Sequence, residues 1–446
     1  MKDQHGFRHF WYSSLLDLTI REPSSCGTTR GTMDRPTFAA FPVELLEEIA
    51  LLLDLQDRCN LRLTSRAIAN KTSFCSFRLF FERKKVRLTP ESLERFIDVT
   101  QSGWQGCYLQ HLTVMDVPTP NGPTVPERRA ADLLRQAMRN FSINSGYGGL
   151  RSLTLTIEAD PDAATNAGTP WKRVWDAAAH VFRATALALA RSHLAVETLN
   201  IFYDVDCCSL PCGEFAKLWR KANLSDSLAH TTTVALSLSH QQSNRQRNRR
   251  MPPFKVGRTN THAITYFLNL CPKLETLQLH WYNLDLLNLT EAQKEEQLFF
   301  NRIVDFCRFE GLKHLTLKGI YTSEMKLHYF LRHIRLRSLS MEQIRLDRGT
   351  FRPIFEYLSL NMRQLRYIHF DDFWEEKLLY FEAPGQPHFP SAGGLNLPNA
   401  ITRTGSDARK LVEYRFSPGR SLVSDECTQW VEKHWRLYGP PRAVYG

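Results

Sequence analysis

The feature that most constrains this chain is a spacing of leucines, Leu-x-x-Leu-x-Leu or a close relative, that keeps returning beyond residue 100. It stands as Leu109-Leu112-Val114, Leu150-Leu153-Leu155, Val196-Leu199-Ile201, Leu274-Leu277-Leu279 and Leu312-Leu315-Leu317. Weaker copies are Leu336-Leu339-Met341 and Leu365-Ile368-Phe370, with Leu236-Leu238 and Leu411-Tyr414-Phe416 as further members. First positions of successive copies lie between 24 and 46 residues apart. Several copies follow a segment of helical periodicity, over residues 126–141, 171–191, 291–309 and 351–360, with a short turn such as Cys271-Pro272-Lys273 or Glu310-Gly311 between. A strand-plus-helix unit has an apolar flank that it cannot cover alone, so neighbouring units stack. The expectation is an α/β body over residues 100–420, with parallel strands on a concave side and helices on the convex side. An ordinary α/β domain would alternate strands and helices too; the returning leucine spacing favours stacked repeats.

The long spacings imply insertions. Residues 117–126, 241–258 and 383–398, rich in Pro, Gly or Arg, read as loops. Residues 421–446 read as a tail, in which 426–437 form a capping helix with Trp430, Val431 and Trp435 folded onto the last repeat.

Ahead of the body the chain is organised differently. Phe41-Pro42 opens a helix, since Pro costs nothing at a first helical position. Glu44, Glu47 and Glu48 follow in the first turns, complementing the positive end of the helix dipole. Leu45, Leu46, Ile49, Leu52 and Leu53 recur at helical steps on one face. The pattern breaks over residues 54–57, with Asp57 as N-cap of a second helix carrying Leu61, Leu63 and Ile68. A third short helix is expected over residues 74–81. About 40 residues of short helix bury little alone, so the apolar face belongs either to a partner's groove or to the first helical hairpin of a larger domain. The organised pattern begins after Met33; residues 1–36 read as a disordered leader, with Met33 as the natural start.

Phe41-Pro42-Val43-Glu44-Leu45-Leu46-Glu47-Glu48-Ile49, then Leu53-Asp54, Asp57, Leu61, Leu63 and Ser65-Arg66, resemble the F-box motif, placing an F-box over residues 37–82. The resemblance implies docking to a Skp-type adaptor subunit and, through it, to a cullin–RING ubiquitin ligase. It also implies that Phe41, Pro42, Leu45, Leu46, Ile49, Leu53, Leu61 and Leu63 line the Skp-facing and internal contacts. The chain departs from the motif at Phe41, where Leu is usual, at Arg58, where an apolar residue is common, and at Ile68, where Trp is frequent. The body resembles the irregular leucine-rich repeats of many fungal F-box proteins, without their usual Asn or Cys after the strand. The fold class expected is therefore α/β: a helical F-box followed by an irregular leucine-rich-repeat solenoid.

Composition narrows the function. Hydrophobic and charged fractions of 43% and 23% are those of a globular chain. The net charge of +11 is spread along the chain and reads as a solvated basic surface. Its one dense run, Arg245, Arg247, Arg249 and Arg250 with Lys255, reads first as a disordered solvated loop, with a nuclear-import or anion-binding patch as the alternative. Nucleic acid is not expected as a partner. No apolar stretch has the length of a membrane span, so the chain is expected in the cytoplasm or nucleus. Of ten cysteines only Cys207, Cys208 and Cys212 cluster, without a second pair at zinc-site spacing. The sequence contains no phosphate-binding glycine loop, nucleophile elbow or His-Glu-x-x-His, and Asp204-Val205-Asp206 reads as a loop start rather than a metal pair. No enzyme, metal or cofactor is expected. Asp371, Asp372, Phe373 and Trp374 read as an aromatic-acidic loop at the edge of the concave face, a solvated strand-to-helix turn or, as the alternative, a contact for a basic target. The function implied is recruitment of an unidentified target protein for ubiquitination. The competing reading is a repeat scaffold outside any ligase, with the face over residues 42–53 buried in its own chain.

Overall fold

A computed structural model describes residues 38–72, 81–101, 108–119, 122–145, 148–158, 170–219, 221–239, 253–282, 289–382 and 399–416. The chain divides into two compact units, Met1–Phe74 and Cys75–Gly446. The leader, the expected helix over 74–81, the run Arg245 to Arg250, the loop over 383–398 and the tail lie outside the described residues.

The first unit contains three short helices, α1 (Val43–Leu52), α2 (Leu55–Thr64) and α3 (Arg66–Lys71). Asp54, not Asp57, caps α2: its carboxylate accepts the Asp57 N–H at 2.8 Å. Leu61 and Leu63 do not share a helix with Ile68, because Ser65 takes an extended conformation and caps α3 through its own hydroxyl. An Asp or Ser whose side chain satisfies a free helical N–H stops one helix and starts the next.

The second unit is mixed α/β. Its strands and helices alternate as β1 (Arg83–Arg87), α4 (Pro90–Gln101), β2 (His111–Asp116), α5 (Glu127–Asn144), β3 (Gly149–Ile157), α6 (Pro170–Ser192) and β4 (Ala195–Ile201). They continue as β5 (Leu210–Pro211), α7 (Gly213–Trp219), α8 (Ser225–Leu228), β6 (Thr233–Ser239), α9 (Pro253–Asn269), β7 (Thr276–Tyr282) and α10 (Leu289–Phe306). The remainder is β8 (His314–Lys318), β9 (Tyr321–Thr322), α11 (Glu324–Arg332), β10 (Ser338–Glu342), β11 (Arg345–Leu346), α12 (Arg352–Asn361), β12 (Tyr367–Asp371), β13 (Leu379–Phe381), β14 (Ala400–Thr404) and β15 (Tyr414–Phe416). The main sheet therefore begins at Arg83, ahead of residue 100, and α9 occupies part of the stretch that reads as a basic loop.

In the main sheet the order is β1-β2-β3-β4-β6-β7-β8-β10-β12-β14, so each long strand lies beside the next in the chain. Every pair is parallel until β14, which runs antiparallel to β12. Register stacks like on like. Leu112, Leu153, Leu199, Val234, Leu277, Leu315, Leu339 and Ile368 form one ladder, and Val114, Leu155, Ile201, Leu236, Leu279, Leu317, Met341 and Phe370 a second. All of these side chains are buried. A leucine ladder fills the covered side of a pleat because residues two apart point the same way. In β6 the ladder positions are Val234 and Leu236, two residues before the Leu236-Leu238 expected from spacing. Leu411-Tyr414-Phe416 is not a ladder member; Tyr414 and Phe416 belong to β15, which pairs with β13 in a separate two-stranded sheet.

Helices cover the ladder side as a continuous layer, in which each of α4, α5, α6, α7, α9, α10, α11 and α12 packs on the next. Arg183 of α6 ties this layer together, reaching Glu127 at the start of α5 (2.7 Å) and the buried Glu214 of α7 (2.8 Å). Glu214 also takes Lys217 at 2.6 Å, so this buried carboxylate is doubly paired, as a charge out of water needs to be.

Three consecutive strands end alike. Gly319, Gln343 and Asp372 each follow a strand and each has a positive φ, of 66°, 52° and 57°. Gly319 N–H donates to Glu342 O and Gln343 N–H to Asp371 O, at 2.9 and 2.8 Å, which locks the turns in register. One residue further, Ile320, Ile344 and Phe373 all point into the core. At Gly319 only glycine fits, since a Cβ would stand 2.3 Å from the Trp281 carbonyl oxygen.

Candidate partner-docking site

The helices of the first unit carry more apolar surface than they bury. On α1, Leu46, Ala50 and Leu53 fall at steps of four and three on one stripe, and Leu45, Ile49 and Leu52 on the next. The inner stripe is used: Leu46 and Ala50 are buried, as is Ile68 of α3. The outer stripe is not: Leu45 is 53% and Leu52 87% exposed, with Ile49 half-buried between them. Leu63 at the end of α2 is 57% exposed, and Phe41, packed edge-on to Phe38 at 5.3 Å, is exposed as well.

The polar residues of the unit hold this arrangement. Arg58 is buried, and its guanidinium donates to Leu53 O at 2.8 Å and to Leu51 O at 3.0 Å. A cation there satisfies carbonyls that the end of α1 leaves open and meets the negative pole of its dipole. That accounts for a charge where the F-box pattern commonly has an apolar residue. Lys71 closes the other end, donating to Ala39 O and Phe41 O at 2.9 Å each. Arg62 donates to Ala69 O at 2.9 Å, and its burial lowers its pKa, an effect that Cys59 beside it partly offsets. Burial raises the Cys59 pKa in turn and keeps it a thiol.

Of the residues singled out from sequence, Phe41, Pro42, Leu45 and Leu63 are exposed, Ile49, Leu53 and Leu61 are half-buried, and Leu46 is internal. Leu46 is a core residue of the unit, on the internal side of those contacts. The contacts implied by the resemblance omit Leu52, although the helical periodicity places it on the apolar face, and its step of seven from Leu45 puts it on the outer stripe.

The aromatic-acidic stretch in the second unit is not an open loop. Asp371, Asp372 and Phe373 are buried, and Trp374 is half-buried with its Nε1–H donating to Asp372 Oδ1 at 2.9 Å. The positive φ at Asp372 turns Phe373 inward to the place that Ile320 and Ile344 hold in the two preceding turns. Phe373 meets the rings of Phe351, Phe370 and Phe381 at 4.6, 5.2 and 5.8 Å. Glu375 is buried too; its Oε1 accepts from Phe351 N–H and from Tyr414 O–H, both at 2.7 Å. Burial, together with that carboxylate, raises the Tyr414 pKa. These side chains close the end of the sheet.

Elsewhere, Asp204 accepts from Asn200 Nδ2 at 2.5 Å, and Cys207, Cys208 and Cys212 are buried. Burial pushes the Cys271 and Cys307 thiols up to about 12. Among the described residues, no group of three His, Cys, Asp or Glu is placed to hold a metal ion, and no helix is long and apolar enough to cross a membrane.

With this geometry in place, comparison with known families finds an F-box domain over residues 38–79, the segment that contains the three helices. Among curated proteins none matches the chain.

Proposed function

Starting from an F-box at residues 38–79, we propose that the chain is a substrate-recognition adaptor of a Skp–cullin–F-box ubiquitin ligase. Phe41, Pro42, Leu45, Ile49, Leu52, Leu53, Leu61 and Leu63 meet the Skp-type subunit. The body is an irregular leucine-rich-repeat solenoid that holds the target protein, while the transfer chemistry belongs to other subunits. The observation that carries the docking role is the exposed outer stripe of α1. Each leucine there gains roughly 1.5–3 kcal/mol on full burial, which an amphipathic helix recovers in a partner's groove. The sequential parallel order and the three register-locked turns support the repeat reading of the body.

The test is capture of a Skp-type subunit by the tagged full chain, beside a Leu45→Asp/Ile49→Asp variant whose circular dichroism matches the wild type. Capture by the wild type and its loss in the variant is the expected result. A folded wild type that captures nothing overturns the proposal and leaves a repeat scaffold outside any ligase.

A further inference from the structure

The side of the main sheet turned away from the helices is largely polar over β1–β3, with the buried Met115 beside Arg87 as its apolar member, and its first strand is basic. In β1 the core-facing position is Val86, and the alternate positions Arg83, Lys85 and Arg87 are all exposed on the other side. Register continues their rows into polar neighbours: Arg83 lies beside His111 and then Ser152, and Lys85 beside Thr113 and then Thr154. His111 Nδ1 and Ser152 Oγ are hydrogen-bonded at 2.7 Å, which fixes that neighbourhood. Through β4 no residue of these rows on the uncovered side is Asp or Glu. Of the carboxylates near these rows, Glu158 is paired with Arg87 at 2.5 Å, and Glu82, next to Arg83 in the chain, acts on His111. Among the described residues neither Arg83 nor Lys85 has an ion-pair partner.

Three cations on alternate residues of one strand stand about 7 Å apart. That is also the spacing of alternate side chains in an extended peptide. A polyanion of another kind, single-stranded nucleic acid, gains much of its affinity by stacking bases on aromatic rings, and no Phe, Tyr or Trp projects from this side of β1, β2 or β3. We propose that the β1–β3 end of the uncovered sheet face binds an extended acidic segment of the recruited protein, with carboxylates on alternate residues meeting Arg83, Lys85 and, in exchange with Glu158, Arg87. The proposal rests on the reading of the body as the part that holds the target. Its test uses no ligase subunit, so its failure and the failure of Skp capture are read separately.

The probe is a fluorescein-labelled ten-residue peptide of alternating Glu and Ser, titrated with the full chain at low and moderate salt. Wild type binds, more weakly as salt rises, and the peptide with Gln in place of Glu does not. Arg83→Glu/Lys85→Glu weakens binding by about tenfold or more, and Arg83→Gln/Lys85→Gln lies between it and wild type. Arg128→Glu/Arg139→Glu, the same charge change at exposed positions of α5, stays within about twofold of wild type because the two surfaces are screened from each other. Absence of binding by wild type, or equal loss in both charge-reversed variants, overturns the proposal. So does a ten-nucleotide oligothymidine that displaces the peptide through the same two residues.

Discussion

The two units use one residue type in opposite ways. In the body, leucines two apart along each strand are matched by leucines at the same register on the next strand, and the helix layer closes over them. In the helical unit α1 carries leucines on two adjacent stripes, and only the inner one finds cover; Leu46 is buried while Leu52 is 87% exposed. The difference follows from size. A long row of strands supplies each apolar face with a neighbour, whereas some 35 residues of short helix cannot bury both stripes. Leucine in the body therefore reports on stability, and leucine on the outer stripe of α1 on the association proposed for it.

The contrast can be broken by truncation. Phe373→Ala, at a fully buried ring among four other phenylalanines, should cost about 3–5 kcal/mol in urea unfolding; a loss near zero would mean that the end of the sheet is not packed as described. Gly319→Ala should follow with about 2 kcal/mol, combining left-handed backbone strain with a clash on the Trp281 carbonyl. Gly405→Ala, also at positive φ but facing open space, should cost only about 1 kcal/mol. Glu375→Gln keeps a neutral acceptor for Phe351 N–H and Tyr414 O–H, so about 1–2 kcal/mol is expected, read as a lower urea midpoint at unchanged slope. Smallest of all is Leu52→Ala, within about 0.5 kcal/mol of wild type, even though it should weaken Skp capture. A large stability loss at Leu52 would erase the distinction between the units.

Much of the body is legible because the covered face of a parallel strand demands large aliphatics at fixed steps. Leu112-Val114 through Ile368-Phe370 announce seven strands in that way, and all seven lie in the sheet. β1 escapes notice because Lys84 occupies a ladder position, beside Leu112 in register. Burial and the nearby Arg95 lower its pKa. α9 is hidden by composition, since its first turns hold Pro253, Lys255, Gly257 and Arg258 and read as loop. In the docking site, the helical stripe and Pro42 are plain in the sequence, but which leucine stripe faces water is not, as both are equally apolar. Asp371-Asp372-Phe373-Trp374 resembles an exposed recognition loop by residue type. Only the left-handed turn at Asp372 reveals that its ring points inward.

The order of the strands also bears on how the chain is made. Because each long strand of the main sheet lies beside the one synthesised just before it, every new strand can dock on an edge already laid down, without waiting for a distant part of the chain. Synthesis delivers the α1–α3 helices before any of that sheet. The segment matched as an F-box thus leaves the ribosome complete while the rest of the protein is still being added strand by strand, and the edge that grows is at each moment the newest one. The reversed β14 ends that succession, since its outer edge runs opposite to the one on which each earlier strand was laid.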